Sequence, residues 1–293
     1  MKVVVTGSAG FVGRALVTRL RDQGHDVLGV DRAADADIRG EIGDPAVLAW
    51  LFAAGCDAIV HLATMPGGAA EQDPAGARRI NLDASMALAD AAAAAGHRPR
   101  FIFASSIAVL GDPLPPQVDD ETPLAPRLIY GAHKAMIEQW LATMDRRGTL
   151  SALSVRLPGI VARPERPSGM KSAFLSEIFH ALAAGRPFTA PVSPQATMWL
   201  MSVDRAVANL THALAIDASG ALTLPALRMS FAELATEIAR QTGGDTTRIS
   251  YDPDPVLEAG FGRQPPLFTS AADQLGFAHD GSLTTLVAKG LNR

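Results

Sequence analysis

Short, almost unbroken apolar runs punctuate the first half of the chain: Lys2–Val5, Val27–Val30, Asp57–Leu62, Phe101–Ala104 and Leu153–Leu157. A run of this length without polar alternation reads as a strand covered on both faces. Between the runs the period lengthens. Phe11–Leu20 is amphipathic with helical spacing, and Pro45 to about Ala54 follows Asp44, which suits an N-cap before a proline at the first helical position. An alanine-rich helix is expected over about Gly76–Ala95, and another over Tyr130–Arg147. Strands alternating with helices predict a doubly wound parallel α/β sheet of the Rossmann type, with ligands at the carboxyl ends of the strands. The proline-rich stretch from Gly111 to Arg127 predicts an irregular loop beside those ends.

From Pro158 the rhythm breaks. Helices are expected near Ser172–Ala184, Val203–Ile216 and Phe231–Thr242, with short strands at Ala221–Leu224 and Arg248–Tyr251. Ser230 and Glu233 are spaced as a capping box for the third of these helices. Proline and glycine near 253–266 predict a loop. The expected division is a dinucleotide-binding domain over 1–160 and a smaller α/β substrate domain over 161–293. That second domain would close over the cofactor, and the chain could cross back near the boundary.

Composition narrows the function. The 293 residues are 48% hydrophobic and 19% charged, with a net charge of −4 spread over both signs. That leaves no footprint for nucleic acid or an anionic membrane. A lone Cys56 excludes an internal disulfide, and there is no Cys/His spacing for a metal. No signal segment precedes the first strand and no apolar stretch is long enough to span a bilayer, so a cytoplasmic protein is expected.

The first strand runs into Thr6-Gly7-Ser8-Ala9-Gly10-Phe11-Val12-Gly13 and straight on into a helix. Glycines let the backbone approach a pyrophosphate, and the N–H groups of the new helix meet its charge. Asp31 ends the second strand 18 residues after Gly13, where a carboxylate would hold an adenosine ribose diol and repel a 2′-phosphate. Arg32 beside it is the group that could accept such a phosphate. Tyr130 and Lys134 share one helix face a turn apart. A lysine ammonium favours the phenolate, so the tyrosine can take a proton from an alcohol. Ser106, at the mouth of the preceding strand, would hold the reacting oxygen beside Tyr130.

The glycine motif, Asp31, Gly43-Asp44, His61-Leu62-Ala63, Asn81, Ser105-Ser106 through Gly111, and Tyr130-x-x-x-Lys134 stand in order over about 160 residues. Together they resemble the extended short-chain dehydrogenase/reductase family, of the NAD-dependent epimerase/dehydratase type. The resemblance implies NAD as cofactor, Asp44 near the adenine, Asn81 in support of the active site and Lys134 on the nicotinamide ribose. The cofactor set expected is Gly7, Gly10, Phe11, Val12, Gly13, Asp31, Arg32, Asp44, Leu62, Ala63, Asn81, Tyr130, Lys134, Leu157 and Pro158. His61 is expected to pack structurally. The family also implies a homodimer through the helices around 78–95 and 131–147.

The second half, through Arg156–Pro164, Pro191–Pro194 and Met198-Trp199-Leu200, resembles family members that oxidise D-erythronate. Thr197 stands where those members lead one to expect arginine, and Ser168 where one expects asparagine. The reading is therefore NAD-dependent oxidation of the 2-hydroxyl of a small sugar acid by Ser106, Tyr130 and Lys134. Arg163, Arg166 and Lys171 are candidates for the substrate carboxylate, and Thr197 and Trp199 are further substrate-contact candidates. A nucleotide-sugar 4-epimerase using the same three residues is the alternative, and a non-catalytic NAD-binding regulator the third class.

Overall fold

The structure is a computed structural model that describes residues 1–53, 55–111, 113–165 and 172–292. Along the chain, β1 (Lys2–Thr6), α1 (Phe11–Asp22), β2 (Asp26–Asp31), β3 (Ile38–Arg39), α2 (Pro45–Ala53) and β4 (Ala58–His61) come first. The helix expected over Gly76–Ala95 is in fact divided. Helices α3 (Gly67–Gln72) and α4 (Pro74–Ala77) precede a π-helical turn, Arg78–Asp83, which leads into α5 (Ala84–Ala94). The wide turn carries Asn81 inward, and polar partners there reward the distortion. Then follow β5 (Arg100–Ser106), α6 (Ile129–Arg146) and β6 (Ser151–Leu157).

The remaining elements are β7 (Gly159–Val161), α7 (Phe174–Ala183), β8 (Phe188–Ala190), β9 (Thr197–Ser202), α8 (Val203–Ala215) and β10 (Gly220–Thr223). After them come β11 (Leu227–Ser230), α9 (Phe231–Thr242), β12 (Ile249–Tyr251), α10 (Pro255–Phe261), α11 (Ser270–Gln274) and α12 (Leu283–Gly290). Two compact units result. The first comprises 1–109, 126–157 and 207–223, and the second 110–125, 158–206 and 224–293.

In the first unit seven strands form one parallel sheet in the order β10-β6-β5-β4-β1-β2-β3. Val3, Val5, Ile59, Val60, Phe101 and Ile102 are all fully buried, as strands covered on both faces require. The strand order reverses between β1 and β4, and that is where a crevice opens at the carboxyl ends of a doubly wound sheet. The strand expected at Ala221–Leu224 belongs here, because β10 pairs in parallel with β6. Arg100 on β5 holds the returning segment. Its guanidinium donates to the carbonyls of Ala213, at 3.0 Å, and Ala218, at 2.6 Å.

The second unit has a three-stranded sheet, β11-β9-β7, and a two-stranded one, β12-β8. Helices α7, α9 and α12 bury Ile178, Phe179, Leu234, Ile238, Leu286 and Val287 against them. The capping box expected at Ser230 and Glu233 is present. The loop expected over 253–266 is instead partly helical. Asp254 accepts the N–H groups of Val256 and Leu257 at 2.7 and 3.1 Å, and Pro255 occupies the first turn. Proline there begins a helix instead of breaking one. Among the described residues no helix is long and apolar enough to cross a membrane.

Phe231 is fully buried and its ring lies 6.2–6.4 Å from those of Phe174, Phe188 and Tyr251. Phe231→Ala is expected to cost about 3–5 kcal/mol, read as a lowered denaturant midpoint, and Phe231→Leu to recover most of it. A loss under about 1 kcal/mol would show that the cluster does not hold this unit together.

Candidate active site

The glycine turn is shaped by contacts that no side chain would fit. Gly7 has φ +69°, and a Cβ on it would sit 2.7 Å from the amide nitrogen of Ala63. A Cβ on Gly13 would lie 2.1 Å from the carbonyl oxygen of Gly7. Gly10 precedes α1 without a capping side chain, and Phe11 and Val12 open the helix with no acid in its first turn. The positive end of the helix dipole is therefore offered to an anion. Asp31 is aimed from the end of β2: its Oδ2 accepts from Ala9 N and its Oδ1 from Ala33 N, both at 3.1 Å. Arg32 is exposed. These residues fit a dinucleotide: a tight backbone cradle for the pyrophosphate and an ordered carboxylate for a ribose diol. Asp44 accepts from Ala46 N at 2.8 Å, at the start of α2.

A polar seam runs between β1, β4 and the π-helical turn. Thr6 Oγ1 bonds His61 Nδ1 at 2.6 Å and accepts from Leu62 N and Ala63 N at 3.2 and 3.3 Å. His61 Nε2 reaches Ser85 Oγ at 2.8 Å, and its ring stacks on Phe103 with centroids 5.6 Å apart. Burial pushes the His61 pKa down to about 3, with Lys134 adding to the effect, so the imidazole is neutral. Asn81, 3% exposed, accepts from Met65 N at 2.6 Å and donates to Met65 O at 2.9 Å. It thus holds the loop after β4.

Tyr130 is the second residue of α6. Glu71 Oε1 accepts from Ile129 N at 2.7 Å, so a carboxylate of α3 caps this helix from outside. Lys134 is buried, with Nζ 5.5 Å from the Tyr130 ring centroid and 4.5 Å from that of Phe103, and it donates to Ala104 O at 2.7 Å. Burial pulls its pKa down to about 7, while the Glu138 carboxylate works in the opposite direction. Ser106 ends β5, opposite Leu157 in the register with β6, and its Oγ accepts from Ala108 N at 3.1 Å. Ser106 on β5 and Tyr130 and Lys134 on α6 thus all belong to the first unit. Glu71 and Glu138 escaped sequence reasoning, and Thr6 and Arg156 stood there only as members of motifs. The Lys134–Glu138 spacing of one helical turn was the visible signal for Glu138.

In the second unit Trp199 is 1% exposed and its Nε1 donates to Pro265 O at 2.8 Å. This indole is packed inside the second unit, with its N–H bonded to a carbonyl. Thr197 Oγ1 donates to Gln264 O at 2.8 Å, and the carbonyl of Arg163 takes a 2.6 Å bond from His180. Arg166, Ser168 and Lys171 lie outside the described residues. Pro158, just past β6, is buried. Among the described residues no group of His, Cys, Asp or Glu is placed to hold a metal.

The NAD dependent epimerase/dehydratase family matches residues 3–220. D-erythronate dehydrogenase of Cupriavidus necator is 33% identical over 98% of this chain and 97% of its own length. The enzyme of the same name from Haemophilus influenzae is 34% identical over 73% of this chain and 72% of its own. A nucleoside-diphosphate-sugar epimerase from Agrobacterium tumefaciens superposes with a TM-score of 0.90 at 30% identity, over 100% of this chain and 94% of that one. With a family match over most of the chain and a relative a third identical from end to end, the chain belongs to the NAD dependent epimerase/dehydratase family and is an NAD-dependent oxidoreductase of the extended short-chain dehydrogenase/reductase type.

Proposed function

We propose that the protein oxidises the 2-hydroxyl of a small sugar acid, D-erythronate or a close relative, to the 2-oxo acid. The observation that carries this reading is the buried Lys134 beside Tyr130 at the start of α6, in a chain a third identical to a D-erythronate dehydrogenase. Bound NAD supplies the acceptor for the hydride that leaves C2. Tyr130 takes the hydroxyl proton, Ser106 holds the same oxygen, and Lys134 in its ammonium form stabilises the phenolate. The C–H electron pair and the O–H proton leave together and a carbonyl remains. Gly7, Gly10, Gly13 and Asp31 would hold the cofactor. A homodimer and a cytoplasmic setting belong to the same proposal.

The relative among solved structures at 30% identity supports a second reading, epimerisation of a nucleotide sugar. That reaction returns the hydride to the substrate and leaves no net NADH. Supplying the purified protein with NAD and a panel of aldonates separates the readings. Accumulating NADH supports oxidation, turnover of a nucleotide sugar without NADH supports epimerisation, and no turnover of either class sinks both.

Tyr130→Phe removes only the proton acceptor and is expected to lower kcat by about 10²–10⁴ with NAD affinity nearly unchanged. A rate within about threefold of the wild type would remove Tyr130 from its role.

The Asp31 carboxylate, oriented by two backbone amides, predicts a higher kcat/KM with NAD than with NADP, since it would repel a 2′-phosphate. The reverse ratio would hand control of the pocket to Arg32.

An acid substrate needs a cation, and a guanidinium–carboxylate pair is strong and directional. Replacing Arg163, Arg166 and Lys171 singly by Ala is expected to raise KM for the best aldonate in at least one variant. If KM stays put in all three, the acid-substrate reading loses its support and the epimerase reading gains.

A further inference from the structure

Lys134 and Glu138 sit one turn apart on α6, and they are 3% and 2% exposed. They grip consecutive residues of β5. Lys134 Nζ donates to Ala104 O at 2.7 Å, and Ser105 Oγ donates to Glu138 Oε1 at 2.5 Å. Arg156 stands opposite Ser105 in the β5–β6 register. Its Nε donates to Glu138 Oε1 at 3.0 Å, its Nη2 to Oε2 at 2.8 Å and its Nη1 to Thr223 Oγ1 of β10 at 3.4 Å. One buried carboxylate therefore joins a helix directly to β5 and β6, and through Arg156 to β10, immediately before the residue Ser106.

From this geometry we propose that Glu138 is a positioning residue of the active site: its buried carboxylate sets the charge one helical turn from Lys134 and anchors the end of β5 that carries Ser106, while Arg156 holds the carboxylate in place. The proposal rests on the Ser106–Tyr130–Lys134 reading given above.

A structural tie alone does not call for charge here. A buried ion pair seldom adds net stability over a neutral or apolar arrangement of the same shape, because both ions lose their water. Lys134 does call for it. Its Nζ meets the Phe103 and Tyr130 rings and the Ala104 carbonyl, none of which carries a negative charge, and burial by itself drives the ammonium toward the neutral amine. Among the described residues, these titratable and charged groups surround it. Tyr130 and Glu138 lie on its own helix, His61 on β4 is held neutral by burial, and Arg156 on β6 acts through Glu138. Glu138 supplies the negative charge that opposes desolvation of the amine. An amine that lost its proton could no longer stabilise a phenolate at Tyr130.

The chain has four lysines, so lysine labelled with ¹³C at Cε gives a countable set of NMR signals, with that of Lys134 assigned through Lys134→Arg. This titration reads Lys134 without any turnover. In the wild type the midpoint is expected at about 7. Glu138→Gln removes a negative charge and disfavours the ammonium, so the midpoint should fall by about one pH unit or more. That variant leaves Arg156 buried without its partner, so the double variant Glu138→Gln/Arg156→Met, in which neither charge is buried, is titrated beside it. There the midpoint should fall by less. A Lys134 midpoint unmoved in both variants overturns the proposal.

The pH profile of kcat/KM is the second readout. Its descending limb, where the ammonium is lost, should move to lower pH by a similar amount, with NAD affinity retained. A plateau that drops with no shift in either the limb or the midpoint would make Glu138 purely structural and overturn the proposal. A midpoint that falls while the limb stays supports the action of Glu138 on Lys134 and overturns instead the pairing of Lys134 with Tyr130. The two failures are thereby told apart.

Discussion

A parallel sheet has to be covered on both faces, and almost everything in the first unit follows from that constraint. Each strand must be followed by a crossover, so all seven strands point the same way and all their carboxyl ends lie along one edge. The glycine turn after β1, Asp31 at the end of β2, His61 at the end of β4 and Ser106 at the end of β5 lie along one edge for that reason alone. The reversal of strand order between β1 and β4 parts the crossover connections at one place. The backbone of Gly7 lies against Ala63 there, too close for any Cβ.

The same edge concentrates buried polar groups, and desolvation sets their chemistry. An unpaired polar group taken out of water is costly, and most of these are matched, Ser8 Oγ excepted. Thr6 and Ser85 bracket His61, the Met65 backbone satisfies Asn81, and Ser105 and Arg156 share Glu138. The price of that burial is also its use. Loss of water holds His61 neutral and brings Lys134 into the range where its proton can respond to its surroundings.

The second unit is stabilised differently. Its strands are short and mixed in direction, and its cohesion comes from aromatic and aliphatic packing around Phe231 and from single buried polar ties. Asp280 is one such tie: it accepts from Ser202 N at 2.8 Å and from Ser202 Oγ at 2.6 Å, with Lys289 Nζ 3.3 Å away. Trp199 belongs to this scheme, with its ring enclosed and its N–H bonded to a carbonyl.

The sequence by itself determined the parallel α/β class, most strand positions in the first half, the glycine turn, Asp31 and the Tyr130–Lys134 pair. Each of these rests on a local rule: continuous apolar runs, glycine where a Cβ cannot fit, or a helical spacing of four. Tertiary structure decided the rest. The π-helical turn at Asn81, the helix that begins at Pro255 and the membership of 220–223 in the first sheet depend on partners remote in the chain. So do Glu71 capping α6, Arg100 holding the returning segment, and the carboxylate of Glu138 between Ser105 and Arg156. A local pattern records what a residue prefers among its neighbours in sequence. Desolvation, and the partners that offset it, exist only once the chain has brought distant residues together.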